Sequence, residues 1–143
     1  MRAILISVGF SLMLCIGSFA QQTATAPAAI VRASNFYRTE LYFGRSIPGG
    51  GLVGDEQWES FLSDVVTPLF PDGFTVIAGR GQYRESSGKI AKEPSHVLVF
   101  LYRKAERKTA GMKIEKIRSE YKTRFAQESV MRVDFRKSVM VSF

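Results

Sequence analysis

The 143-residue sequence has one cysteine and one histidine, and each scarcity excludes a kind of site. Cys15 lies within an apolar N-terminal segment, so a chain that loses this segment keeps no thiol for a disulfide, a nucleophile or a metal ligand. The lone histidine, His96, excludes a multi-histidine metal site within one chain. No serine lies in a nucleophile-elbow motif. The sequence therefore predicts neither a metal nor a cofactor, and catalytic residues stay unassigned.

Residues 1–20 have the pattern of a signal peptide. Arg2 precedes an almost wholly apolar run, and small residues occupy the −3 and −1 positions of a cleavage site that ends at Ala20. We expect cleavage there and a periplasmic or secreted protein. The alternative is an uncleaved membrane anchor, because Ala3–Ala20 lies at the lower length limit for spanning a bilayer. A lipid anchor on Cys15 is not expected, because Leu14 stands where lipoprotein processing favours a small residue.

The rest of the chain divides into a linker and one domain. Residues 21–36 are rich in Ala, Thr and Gln without periodicity, which predicts a disordered tether. Residues 37–143 are enough for one hydrophobic core and too few for two. We therefore expect a single folded domain after the tether.

Charge is distributed unevenly along this chain, whose formal net charge is +7. Residues 37–79 hold two basic and six acidic side chains, whereas residues 80–143 hold sixteen basic and seven acidic ones. Nucleic-acid surfaces combine basic and aromatic residues in recognisable motifs, and the sequence has none. We therefore expect no nucleic-acid partner and interpret the pattern as an acidic helix beside a basic one.

A β-hairpin over Gly73–Arg103 is the predicted centre of the domain. Residues 74–79 alternate with the period of a strand, and Ser86–Gly88 supplies a turn. The second strand, His96–Tyr102, is apolar on both of its faces. A strand with one wet face would alternate with polar residues, so this strand is predicted to be central in its sheet.

Two helices and two further strands surround the hairpin. Tyr37–Phe43 alternates as a first strand, and Ser129–Phe143 forms a last strand broken at Arg136–Lys137. Two amphipathic stripes predict helices: Trp58, Phe61, Leu62, Val65 and Leu69 in the first, and Ala110, Ile114, Ile117, Tyr121 and Phe125 in the second. The order β-α-β-β-α-β predicts an α+β fold, a ferredoxin-like sandwich. Its four-stranded antiparallel sheet, in the order 4-1-3-2, carries both helices on one face.

Several separate blocks of the sequence resemble one family. They are Thr39–Gly44 (TELYFG), Trp58 with Phe61, Thr67–Val76 (TPLFPDGFTV), Gly81–Arg84 (GQYR), Tyr121–Val133 and the closing Val141–Phe143. Together they resemble the secreted bacterial family called domain of unknown function 3574, over about residues 38–143. The resemblance implies an exported bacterial protein, often a lipoprotein, with no assigned reaction and no catalytic residues to carry over.

The best candidate site is the sheet face that the helices leave uncovered, called the open face below. Arg38, Glu40 and Tyr42 alternate with Leu41 and Phe43, so they are predicted to line it. We place His96 and Phe100 of the third strand beside them. Glu40 and Asp134 also fall on neighbouring strands as a conceivable carboxylate pair, although Arg38 and Arg132 offer each a salt bridge.

An apolar face with a few polar groups needs a cover in water. We expect a face-to-face homodimer, or else an unknown small ligand or envelope partner; a membrane contact is expected only through an uncleaved signal segment. The sequence thus predicts a non-catalytic binding or interaction module that uses the open face. The alternative is a small cofactor-independent enzyme with a pocket on that face, of the dimeric ferredoxin-like type.

Overall fold

The computed structural model describes residues 33–84 and 88–142, which belong to one compact unit, Val31–Phe143. The predicted signal peptide, most of the predicted tether and the serines of the predicted turn lie outside these residues. The strands are β1 (Ser34–Gly44), β2 (Thr75–Arg84), β3 (Ile90–Arg103), β4 (Met131–Asp134) and β5 (Val139–Val141). The helices are α1 (Asp55–Phe61), α2 (Thr67–Leu69) and α3 (Arg107–Phe125).

Neighbouring strands of the sheet are antiparallel and follow the order β2-β3-β1-β4, and β5 also pairs with β1. The fold is therefore α+β, and the predicted central positions of β1 and β3 are confirmed. The sheet has five strands rather than the predicted four. After Asp134 the chain bends, so the two parts of the predicted last strand pair with different segments of β1.

The pairing with β5 also moves the start of β1. Ser34–Phe36 pairs with Val139–Val141, so β1 begins before the predicted start at Tyr37 and the predicted tether extends too far toward the domain. The hairpin strands are likewise longer than predicted, because their pairing continues from Thr75 and Val99 to Arg84 and Ile90.

The first helical segment contains a π-helical turn, Leu62–Val66, which joins α1 to α2. Trp58, Phe61 and Leu62 are buried as predicted, but Val66 and Phe70 are buried where Val65 and Leu69 were expected. A π-helical turn holds one more residue than an α-helical turn, so it shifts the buried stripe by one position.

Both helical segments, α1 with α2 and then α3, pack on the same side of the sheet. The ring centroid of Phe43 on β1 lies 5.3 Å from that of Trp58 on α1 and 4.7 Å from that of Tyr121 on α3. The buried stripe of α3 is the predicted one: Ala110, Ile114, Ile117, Tyr121 and Phe125. In the described part of the chain, no helix combines the length and the hydropathy that crossing a membrane requires.

Candidate functional site

Three side chains of β1 form a connected polar strip on the open face. Strand alternation turns Arg38, Glu40 and Tyr42 away from the helices, while Leu41 and Phe43 enter the core. Arg38 Nη2 is ion-paired with Glu40 Oε1, and the Tyr42 hydroxyl donates to Glu40 Oε2 at 2.6 Å. Glu40 is only 7% exposed. The structure thus brings together three of the five predicted site residues around one buried carboxylate.

The hydrogen bonding within the polar strip makes Tyr42 a poor general acid or base. The hydrogen bond to Glu40, followed by burial, raises the pKa of Tyr42 above its usual value. Tyr42 therefore remains a neutral phenol at physiological pH, and its proton is directed to Glu40. Both Glu40 oxygens are occupied as well, so the strip is suited to recognition and orientation rather than to proton transfer.

Apolar side chains surround the strip. Glu40 is paired in register with Val99 on β3 and with Val133 on β4. Further out on the open face, large apolar side chains are exposed to solvent: Ile77 (48%), Leu101 (42%), Met131 (55%) and Phe135 (39%). The Arg38 guanidinium lies 5.0 Å from the centroid of the Phe135 ring, so its charge contacts an aromatic face as well as Glu40.

The predicted positions of His96 and Phe100 are wrong. Thr39 and Phe43 are their register partners on β1, so both side chains face the helices. Phe100 is fully buried, with its ring centroid 4.4 Å from that of Phe70. β3 is apolar on both faces, so its alternation could not select one. The longer aromatic side chains fill the space between sheet and helices, while Val97 and Val99 turn to the open face.

His96 stacks on Trp58, with ring centroids 4.3 Å apart and an interplanar angle of 8°. Burial, followed by the positive charge of Arg45, lowers the pKa of His96 below its usual value, although Asp55 and Glu59 oppose this shift. Folding therefore disfavours protonation of His96. An unfolded chain binds a proton there near the usual pKa of about 6.5, so acid favours the unfolded chain.

We expect the free energy of unfolding to fall as pH decreases through about 6.5, with a slope of at most about 1.4 kcal/mol per pH unit. The loss ends below the depressed pKa of folded His96. Urea unfolding between neutral and mildly acidic pH measures the slope. His96→Gln is the control, because the chain has no other histidine. An equal slope in the variant would assign the effect to other groups.

A cavity of about 690 Å³ lies at one end of the sheet, and we call it the end pocket. Its walls come from the end of β1, the loop after β1, parts of β2 and β3, and the loop between α3 and β4. Polar side chains in the lining include Tyr42, Ser46, Gln82, Glu93, Ser95 and Gln127. Because Tyr42 also belongs to the polar strip, the end pocket and the open face are continuous.

Gly44 leaves space in the end pocket for the Glu93 carboxylate. A Cβ at this position would lie 2.6 Å from Glu93 Oε1, so a larger residue would force the end of the Glu93 side chain to move. The Ser46 backbone N–H donates to Glu93 Oε2 at 3.2 Å. The Tyr121 hydroxyl donates to the Gly44 carbonyl at 2.9 Å, which fixes the end of β1 against α3.

The loop after α3 closes another wall. Ala126 adopts a left-handed conformation (φ 51°) that ends α3, and the next residue, Gln127, donates its side-chain N–H to the Ser46 carbonyl at 2.7 Å. Sequence reasoning assigned no role to Glu93 or Gln127. Gly44 and Gln127 occur in the blocks that resemble the family, but only the folded chain brings the three segments together.

The conceivable carboxylate pair is absent. Glu40 and Asp134 lie on opposite faces of the sheet, because Asp134 is the register partner of Thr39. Arg132 Nε donates to Asp134 at 2.9 Å, and Arg38 pairs with Glu40, so each carboxylate has its own arginine, as expected. Within residues 33–84 and 88–142, no three His, Cys, Asp or Glu side chains form a group that could hold a metal ion.

The fold is similar to that of a phage SAM lyase in two solved structures. The lyase in complex with S-methyl-5′-thioadenosine has a TM-score of 0.57 and 15% sequence identity, over 81% of this chain and 97% of that chain. Its apo state gives a TM-score of 0.51 and 16% identity, over 93% and 97%. At such identities the likeness concerns the fold alone. None of the curated proteins compared with this sequence matches it.

A family model matches most of the chain. The model is described as "Protein of unknown function (DUF3574)" and covers residues 38–143, which include the polar strip and every residue of the end pocket. This match confirms the resemblance found in the sequence blocks. The chain belongs to the DUF3574 family.

Proposed function

We propose that the chain is an exported, non-catalytic binding or interaction module that works through the open face of a ferredoxin-like sandwich. One observation carries this proposal: exposed apolar side chains surround a polar strip whose charges are already paired. Apolar faces of this kind occur where proteins bind partners or ligands. Export is part of the proposal, with cleavage after Ala20 and release to the periplasm or the medium; its support is the sequence pattern of residues 1–20.

The internal pairing of the polar strip supports a non-catalytic role. Both Glu40 oxygens are bonded, and the Tyr42 proton is held by Glu40. The only histidine of the chain faces the helices. General acid–base catalysis needs a group that can exchange its proton with a substrate, and neither Glu40 nor Tyr42 of the polar strip is free to do so.

A second copy of the chain is the partner that best fits the open face. In a two-fold dimer the same residues meet each other, so a face with net charge would repel itself. Here Arg38 and Glu40 neutralise each other within one chain. The remaining centre is apolar, with Val99 and Val133 on either side of Glu40.

Replacement of Ile77 by Glu tests the interface. Ile77 lies on the open face, since it is the register partner of Val97, and it is 48% exposed. We expect the wild type to be a dimer and Ile77→Glu to be a folded monomer, because the dimer would bury two carboxylates in an apolar contact. Light scattering after size exclusion measures the mass of each, and circular dichroism tests the fold.

Val76→Glu is the matched control. Val76 is the neighbouring residue of β2 and is 39% exposed, but it pairs with Leu98 and lies on the other face. This variant should remain dimeric. A monomeric wild type at high protein concentration, or equal dissociation of the two variants, would contradict the second copy as the occupant and leave a different partner or ligand for the face.

The enzyme alternative has two specific supports. Glu93 in the end pocket accepts a hydrogen bond from a backbone N–H and has no ion pair among the described residues, so its carboxylate is available as a base. The fold likeness is to a phage SAM lyase, which is an enzyme. Native mass spectrometry of the exported protein separates the two functions. A bound molecule recovered unchanged supports the module, whereas catalytic conversion of that molecule supports the enzyme.

A further inference from the structure

The end pocket differs in charge from the rest of the molecule. The chain has a formal net charge of +7, and its bases are concentrated in residues 80–143. The lining of the end pocket nevertheless contains two carboxylates, Glu93 and Glu128, and no Lys, Arg or His. The two carboxylates come from separate segments, β3 and the loop after α3, so local sequence composition does not account for their convergence.

The Glu93 carboxylate is held in place without being neutralised. Gly44 provides the space that it occupies, and the Ser46 backbone N–H accounts for one of its hydrogen bonds. A carboxylate has about four acceptor positions, and no arginine or lysine of the described chain forms an ion pair with this one. Because Glu93 is partly buried, its unused positions gain more from a cationic donor than they would in open water.

We propose that the end pocket binds a small organic amine, with the ammonium group paired to the Glu93 carboxylate and Glu128 at the rim. This proposal rests on the proposed function in treating the chain as a binding module. An anionic ligand would be repelled by both carboxylates. A bare metal ion does not suit the site, because the described residues form no metal-binding group and the cavity of about 690 Å³ has the size of a small-molecule site.

The other lining groups suit the same ligand. The Tyr42 ring offers an aromatic surface beside the carboxylates, and cations are attracted to such surfaces. Ser95 and Gln82 add uncharged polar groups. Gln127 holds the loop through the Ser46 carbonyl, so the wall that carries the Ser46 N–H is already fixed before a ligand enters.

Titration with 1,4-diaminobutane, followed by NMR of backbone amides, tests the proposal. We expect saturable shifts of the Gly44 and Ser46 amides, and no saturable shifts with 1,4-butanediol, which has the same length without charge. Glu93→Gln should weaken binding of the diamine about tenfold or more, because the amide keeps an acceptor for Ser46 but loses the charge. Glu120→Gln is the matched control, because it removes the same charge from an exposed residue of α3 outside the end pocket. This variant should change the affinity for the diamine by less than about twofold.

Three results would overturn the amine site: no saturable shift at Ser46, equal binding of the diol, or equal weakening in the two variants. Light scattering measures the molecular mass in the same samples, so a failure of the amine site can be distinguished from a failure of the dimer. A dimeric wild type that does not bind the diamine contradicts the amine site alone. Diamine binding by a monomeric wild type contradicts the dimer alone.

Discussion

Phe100→Glu is expected to leave the chain largely unfolded. The Phe100 ring is fully buried, with centroids 4.4 Å from Phe70 and 6.0 Å from Phe74. Removing a buried phenylalanine ring costs about 3–5 kcal/mol, and a carboxylate among apolar side chains adds several more. Domains of this size are stable by about 5–15 kcal/mol, so the sum approaches the whole free energy of unfolding. Far-UV circular dichroism and a urea titration measure the loss.

The adjacent residue gives the control. Leu101 lies on the open face and is 42% exposed, so Leu101→Glu places no charge in the core and the chain should still fold, even where the proposed dimer contact is lost. The pair of variants tests the facing of β3 directly. A folded Phe100→Glu together with an unfolded Leu101→Glu would mean that the two faces of β3 are exchanged.

Trp58→Ala is expected to lower the free energy of unfolding by about 3–5 kcal/mol. Trp58 is 2% exposed and packs against both the sheet and α3. Its ring centroid lies 5.3 Å from that of Phe43, 4.3 Å from that of His96 and 6.0 Å from that of Tyr121. Its indole Nε1 is buried and has no hydrogen-bond partner among the described residues. The loss therefore comes from packing, and Trp58→Phe, which removes the unpaired N–H, should cost much less.

Met112→Ala serves as the reference for truncation at the surface. Met112 lies on α3 and is 60% exposed, so its removal should change stability by no more than about 0.5 kcal/mol. Urea unfolding followed by circular dichroism suits all of these variants, because the sequence has only one tryptophan and Trp58→Ala removes its fluorescence. A Trp58→Ala protein as stable as Met112→Ala would contradict the position of α1 on the sheet.

Local patterns were sufficient for most of the fold. The helical stripe from Ala110 to Phe125 is buried as predicted because one α-helical period runs through it without interruption. Alternation in β1 likewise separated Leu41 and Phe43 from Glu40. Where two solutions satisfied the same local pattern, the sequence could not decide between them. His96–Tyr102 is apolar on both faces, and its inward face is the one that packs against side chains of other segments, such as Trp58 and Phe70.

The candidate site was predictable only in part, for a related reason. Arg38, Glu40 and Tyr42 belong to one strand, so strand alternation alone places them together. The end pocket depends on contacts between distant segments: Glu93 meets Gly44 and Ser46, and Gln127 reaches the Ser46 carbonyl across 81 positions of the sequence. No local period encodes such contacts, and a single glutamate in a strand carries no signal of its own.

The π-helical turn at Leu62–Val66 has a consequence for how sequences of this family should be aligned. The turn takes up one residue more than an α-helix would over the same rise, and Phe70 still reaches the sheet beyond it. A relative with one residue fewer in this segment would form a plain α-helix and keep its counterpart of Phe70 in the core. A gap of one position between Phe61 and Phe70 would then mark a change of helical pitch rather than a change of fold, and substitutions should be compared after allowing for it.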